Sequence, residues 1–346
     1  MNNTRIRFLI LIILLLEASS AHILLGQVPI KPLRLNQGDT IGLIAPGWLI
    51  TEKQLKESIE QITQLGFVPI YTKRILGKNG YFSGTDEQRA SDLNEMFLNP
   101  QVKGIICANG GYGCTRILDL IDYQVIKENP KIIVGFSDIT ALLNAIHQKT
   151  NLITFHGPIS RTIKYDYSAS QFKKVVMNTK KKLIIENCTE DLEKSTDKSE
   201  YNRYTIASGN AIGELVGGNL TIITSMIGTD YQLDFTDKIV FLEDIGEEPY
   251  RIDRMLTQLI ETGELQKASG IVLGIFRGCE KSDKSKAPNS FSLQEVIEER
   301  IKPLNIPAVY GLSFGHNKNN FTIPIGIKTK LDADKMTIEL LENAVK

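Results

Sequence analysis

Short apolar runs closed by glycine or proline alternate along this chain with stretches whose apolar residues recur every three or four positions. That is the pattern of buried parallel strands separated by amphipathic helices. Thr40-Ile41-Gly42-Leu43-Ile44-Ala45-Pro46 is the first such run. Glu52 to Leu65 places Leu55, Ile59, Ile62 and Leu65 on one helical face, Gly66 caps it, and Phe67 to Tyr71 follows as a strand. The pattern predicts a helix over Asp86 to Leu98, strands over Gly104 to Ala108 and Lys131 to Phe136, and a helical segment over Thr115 to Ile121 between them. A strand-helix alternation of this kind implies a parallel α/β sheet, in which ligands meet the carboxyl ends of the strands.

From Arg161 to Tyr204 the pattern decays into polar and charged residues, including Lys180-Lys181-Lys182 and the run from Glu190 to Lys198. The domain connection is placed there, dividing the chain into 35–160, a linker over 161–204, and 205–344. The second part reads as mixed α/β, with strands at Ile239 to Leu242, Gly270 to Ile275 and Ala308 to Leu312 and helices at Tyr250 to Ile260 and Leu293 to Ile301. No internal repeat stands out.

Composition narrows the function classes. The chain has 346 residues, enough for two domains, and its Lys+Arg and Asp+Glu counts are both 40, so no net field gathers nucleic acid. Residues 1–26 read as a signal peptide: Arg5 and Arg7, an apolar run from Phe8 to Leu16 too short to span a bilayer comfortably, then Ala18-Ser19-Ser20-Ala21. Cleavage is expected after Ala21, or as late as Gly26, with an uncleaved anchor as the alternative. Export follows, to the periplasm, with the cytoplasm as the alternative. Cys107, Cys114, Cys188 and Cys279 show no CxxC pair, so neither metal nor cofactor is indicated, and buried free thiols are favoured over a Cys107–Cys114 bridge.

Candidate chemistry begins at Gly135-Phe136-Ser137-Asp138, where a serine sits between an apolar strand and a helix starting at Asp138. Unpaired N–H groups at such a helix start face any anion forming beside the hydroxyl, as acyl transfer requires, yet the same position suits a plain N-cap. Asn109-Gly110-Gly111-Tyr112-Gly113 follows a neighbouring strand, and a Gly110 or Gly111 amide there pairs with the Asp138 amide as a candidate oxyanion hole. Its spacing fits no phosphate loop. A serine nucleophile needs a base and an orienting carboxylate. Of the four histidines, His22 lies in the leader, His147 within the helix after Ser137, and His156 on a turn able to approach the site, while His316 in Phe314-Gly315-His316 is the best base. Glu243 ends a strand, and the residues alone leave it level with Asp244, Glu247 and Glu248.

These stretches, with Gly217-Gly218-Asn219-Leu220, Phe241-Leu242-Glu243-Asp244, Tyr250 to Leu256 and Ile323-Pro324-Ile325-Gly326, run in an order that resembles the LD-carboxypeptidase family from Gly38 to Gly326. The resemblance implies an N-terminal Rossmann-like domain, a C-terminal swivelling β/α domain, a homodimer, and a triad at Ser137, Glu243 and His316. It implies a murein tetrapeptide substrate that loses its terminal D-Ala. Relatives often carry Arg where Asn109 stands here, which leaves substrate contact by Asn109 open. Arg251, Arg254 and Arg116 are the cations considered for the substrate carboxylate, against simple helix-surface pairing. A microcin-immunity peptidase, acting on peptide-nucleotide conjugates, and a non-catalytic wall-peptide binder are the rival readings.

Overall fold

The computed structural model describes residues 28–179, 182–281 and 289–346. The leader read at 1–26 and His22 lie outside these residues. The first half alternates β1 (Thr40–Ile44), α1 (Glu52–Gln64), β2 (Val68–Tyr71), α2 (Asp86–Leu98), β3 (Val102–Cys107), α3 (Tyr123–Glu128), β4 (Ile132–Gly135), α4 (Ile139–Thr150) and β5 (Thr154–His156). Helices α1 and α2 open on full capping boxes, Thr51 with Gln54 and Thr85 with Gln88, which satisfy the first amides reciprocally. The helix expected over Thr115 to Ile121 is a 3₁₀ segment, Cys114–Leu120.

Strands β1 to β5 pair in parallel in the order β2-β1-β3-β4-β5. The order reverses between β1 and β3, so their following loops part at that edge and open a crevice beyond the strand ends. Gly47-Trp48 follows β1, Asn109-Gly110-Gly111 follows β3, and Ser137 follows β4, so all three converge on one edge.

Residues 161–204, read as a polar linker, are built into the fold. They form α5 (Asp166–Val176), β6 (Leu183–Ile185), α6 (Thr189–Glu193) and β7 (Tyr204–Ala207). Helix α5 buries Phe172, Val175 and Val176 on one face and leaves lysines outside, which is why its composition looks like a linker. The rest of the chain supplies β8 (Asn210–Asn219), α7 (Leu220–Ser225), β9 (Ile239–Glu243), α8 (Pro249–Glu261), β10 (Gly270–Gly274), α9 (Leu293–Ile301), β11 (Ala308–Leu312), β12 (Ile323–Ile325), β13 (Lys328–Asp332) and β14 (Thr337–Leu340). Parallel β8-β9-β10-β11 form the centre of a second, eight-stranded mixed sheet, with antiparallel β7, β13, β14 and β6 outside them. Strands β9, β10 and β11 are buried at every position, as strands covered on both faces must be.

The two sheets share one core. Strand β12 returns to the first sheet, pairing antiparallel with β5, before β13 re-enters the second. Helix α4 leans on β8: the Asn144 amide donates to the Gly217 carbonyl at 2.8 Å, and the Asn219 N–H donates to the Thr140 hydroxyl at 3.0 Å. The carboxyl ends of β4 and β8 are thereby held side by side.

Candidate active site

Ser137 adopts φ 66, a left-handed conformation that costs a non-glycine residue on the order of 1–3 kcal/mol and is retained where the surroundings impose it. The sharp turn lifts its side chain off the end of β4. The N-cap of α4 is Asp138, so the capping role weighed for Ser137 falls one residue later. The Asp138 side chain does not cap the helix. Its Oδ2 accepts the Cys114 N–H at 2.9 Å, tying down the far end of the glycine turn. Burial raises the Asp138 carboxyl above its usual range, against the hydrogen bonds from Cys114.

The Gly110 carbonyl accepts the Trp48 N–H at 3.0 Å, which fixes the turn against the loop after β1. A Cβ on Gly110 would lie 3.2 Å from Ser137 Cβ and 3.4 Å from Ser137 Oγ, so the turn passes close beside the serine. Gly111, at φ 93, lies against the Trp48 side chain. Cys107 and Cys114 are buried free thiols, each pushed up by burial and by the Asp138 charge.

His316 Nδ1 lies 2.7 Å from Glu243 Oε2. Of the four carboxylates the residues left open, Glu243 is the one bonded to this histidine. Glu247 pairs with Arg251 at 3.2 Å, Glu248 occupies the N-cap of α8, and Asp244 accepts from the Thr221 N–H and hydroxyl. Gly315 permits the His316 contact: at φ 103, a Cβ there would meet Glu243 Oε2 at 2.6 Å. Burial alone would raise the wholly buried Glu243 carboxyl, but His316 outweighs it and holds the group below its usual range. Burial likewise lowers His316, and Glu243 overcomes it, so the imidazole ends above 6.5. The His316 ring stands edge-on to Phe136, the residue before Ser137, with centroids 4.9 Å apart.

Asn219 is the residue that sequence reasoning missed. Its Nδ2 donates to Glu243 Oε1 at 3.3 Å and to Asp244 Oδ1 at 3.1 Å, while its Oδ1 accepts from the Ile222 N–H. One side chain thus caps α7 and braces two buried carboxylates. Asp244 is pushed up to about 6 by burial and by Glu243. An asparagine between a strand and a helix was the available signal, but it announces only the cap. Arg277 was also missed, and its Nη1 donates to the His316 carbonyl at 3.0 Å.

The other histidines divide. His147 faces away, with Nδ1 3.0 Å from the Leu152 carbonyl, whereas His156 is fully buried with Nε2 4.0 Å from Glu243 Oε1. Among the cations considered, Arg116 pairs with Asp86 at 2.8 Å, Arg251 with Glu247, and Arg254 is exposed on α8. The guanidinium attached to the glycine turn belongs to Arg161, whose Nη2 donates to Asn109 Oδ1 at 3.0 Å. Asn109 also reaches the Leu49 carbonyl, so its amide is committed within the protein. Among the described residues no cluster suited to a metal ion occurs, and no helix is long and apolar enough to cross a membrane.

The sequence profile of the LD-carboxypeptidase N-terminal domain matches residues 41–157, and that of its C-terminal domain matches 212–331. A probable murein peptide carboxypeptidase of Bacillus subtilis is 39% identical over 310 residues, covering 89% of this chain and 93% of the relative. The murein tetrapeptide carboxypeptidase of Pseudomonas aeruginosa is 28% identical over 86% of this chain and 94% of its own length. Among solved structures, MccF in complex with glutamyl sulfamoyl guanosine superposes with TM-score 0.82 at 27% identity, covering 92% of this chain and all (100%) of that one.

Proposed function

The chain belongs to the LD-carboxypeptidase family of serine-type carboxypeptidases, and from that premise we propose that it releases the terminal D-Ala of murein tetrapeptides through Ser137, His316 and Glu243. The observation that carries the reading is the 2.7 Å contact between His316 and the buried Glu243, with the His316 ring against Phe136, the residue before a serine held at φ 66. Glu243 fixes Nδ1–H of His316, leaving Nε2 to take the Ser137 proton. Ser137 Oγ then attacks the carbonyl of the third residue. The amides of Asp138 and of Gly110 or Gly111 receive the oxyanion, a contribution of roughly 3 kcal/mol per donor. His316 returns the proton to the departing D-Ala amine, and water resolves the acyl-enzyme by the reverse sequence. We assign the substrate's free carboxylate to Arg161, on the attachment of its guanidinium to Asn109 at the glycine turn.

Mass spectrometry of muropeptides before and after treatment with purified protein tests this directly. Loss of one alanine from a tetrapeptide is the expected result. Ser137→Ala should lower turnover on the order of 10⁶-fold, and undiminished release by that variant would sink the assignment. We further place the enzyme outside the cytoplasm, on the apolar run Phe8 to Leu16, and as a homodimer, on family likeness. Cell fractionation and light scattering check these two points.

A second reading has one observation behind it. Trp48 is 47% exposed and its N–H is bonded to Gly110, a position from which an indole can stack a nucleobase. Cleavage of an acyl-sulfamoyl nucleoside in preference to tetrapeptide would favour the microcin-immunity activity.

A further inference from the structure

His156 ends β5 in register with Gly135, two residues before Ser137, and with Ile323 of β12 on its other side. It is wholly buried, and its ring is surrounded by those of Phe136, Phe241 and Phe314, with centroids 6.2, 5.3 and 6.2 Å away. A phenylalanine would suit such an apolar box. The histidine instead carries two buried ring nitrogens that make no hydrogen bond to any other residue, an arrangement that is unfavourable unless something offsets it. The polar atom it faces is Glu243 Oε1, 4.0 Å from Nε2.

Glu243 is therefore approached from three sides: His316 on Oε2, and Asn219 and His156 on Oε1. His316 also faces the charges of Asp244 and Arg277, and His156 faces His316 beyond the carboxylate. Burial lowers His156 to about 4, so its ring is neutral when the enzyme works. A neutral ring can either present an N–H to the carboxylate or repel it with a lone pair.

Resting on the reading of Glu243 and His316 as base machinery, we infer that His156 is a positioning residue, a neutral imidazole whose Nε2–H faces Glu243 and moderates the basicity that the carboxylate imposes on His316. The dipole stabilises the Glu243 anion without adding a charge that would compete with His316 for it. Without that dipole the carboxylate is a less stabilised anion and draws a proton onto His316 more strongly. The catalytic base is then protonated at a higher pH.

The test uses the full chain. In His156→Phe the acid limb of kcat/KM moves upward by about one pH unit, with KM at high pH unchanged. His156→Gln, which restores an N–H near the position of Nε2, returns the limb toward the wild-type pH. A limb that stays in place in both folded variants overturns the inference. A second measurement needs neither activity nor a tolerated variant: ¹⁵N imidazole spectra of the wild-type protein, with His156 assigned through its contacts to the rings of Phe136, Phe241 and Phe314, should show that histidine neutral to below pH 5 as the Nε2–H tautomer. An Nδ1–H tautomer, or a charged ring at neutral pH, refutes the proposal even if the peptidase reading stands. If no peptide is cleaved but the Nε2–H tautomer is present, the peptidase reading has failed and the placement of His156 has not.

Discussion

Glu243 shows how one buried residue sets a working pH. Burial by itself would depress His316 below 6.5, and it lies above that value because of the Glu243 charge 2.7 Å away. The proposed mechanism requires the neutral imidazole, so kcat/KM should fall as pH drops through a midpoint raised from the usual histidine value. Glu243→Gln removes the main raising influence and leaves the burial, so the midpoint should move to lower pH. Turnover on the plateau should also fall by about 10⁴-fold, because an amide no longer enforces the tautomer with Nδ1–H. A pH–rate profile of the two proteins decides this, and an unmoved midpoint would count against Glu243 as the partner. Ser137, Glu243 and His316 stand out as candidates in the sequence because each lies at a strand end beside a glycine or an acidic neighbour, and the structure brings Glu243 and His316 into contact. Residue types alone could not separate Glu243 from Asp244, since both are buried at the end of β9 and only the direction of the side chain distinguishes them. Asn219 and Arg161 were not legible in these roles, because their partners lie 24 and 52 residues away in sequence.

At the scale of elements, the glycine turn is positioned by the helix that follows Ser137. Asp138 carries one carboxylate oxygen to the Cys114 N–H, so α4 and the turn after β3 are fixed to each other rather than independently. Asp138→Ala should release the turn and leave a buried amide unsatisfied, at a cost of roughly 1–3 kcal/mol. The expected outcome is a lower melting temperature together with a fall in kcat, while Asp138→Asn, which keeps an acceptor oxygen, loses much less of either. Equal loss in both variants would show that the charge, and not the acceptor, holds the turn. Elements with sharp boundary signals were read closely: α2 and α9, which open on capping boxes, and β11 fall on the residues expected. Residues 161–204 defeated the same reasoning. Strand β6 lies at an edge of the second sheet and α5 buries only one narrow face, so polar residues dominate both without making them a linker.

At the scale of the whole molecule, the division into two halves that composition suggests is not a division of the core. The buried apolar residues form a single cluster running from Leu35 to Val345, and β12 belongs to the first sheet although its neighbours in sequence belong to the second. The hydrogen bonds from Asn144 and to Thr140 cross the same boundary, and they join α4, the helix that follows Ser137, to β8, the strand paired with the one that carries Glu243. Neither sheet can come apart without exposing the other's apolar face or withdrawing a strand from it. Thermal unfolding should therefore be one cooperative transition, despite a length at which independent domains are common. The protein has one tryptophan, Trp48, in the first sheet's crevice, so its fluorescence reports that half while far-ultraviolet circular dichroism reports both. Coincident midpoints by the two probes are expected, and separate midpoints would mean that the halves unfold independently. The same coupling bears on catalysis: because the serine comes from one sheet and the Glu243–His316 pair from the other, loss of the shared interface should abolish turnover at the temperature where both probes change, and not before it.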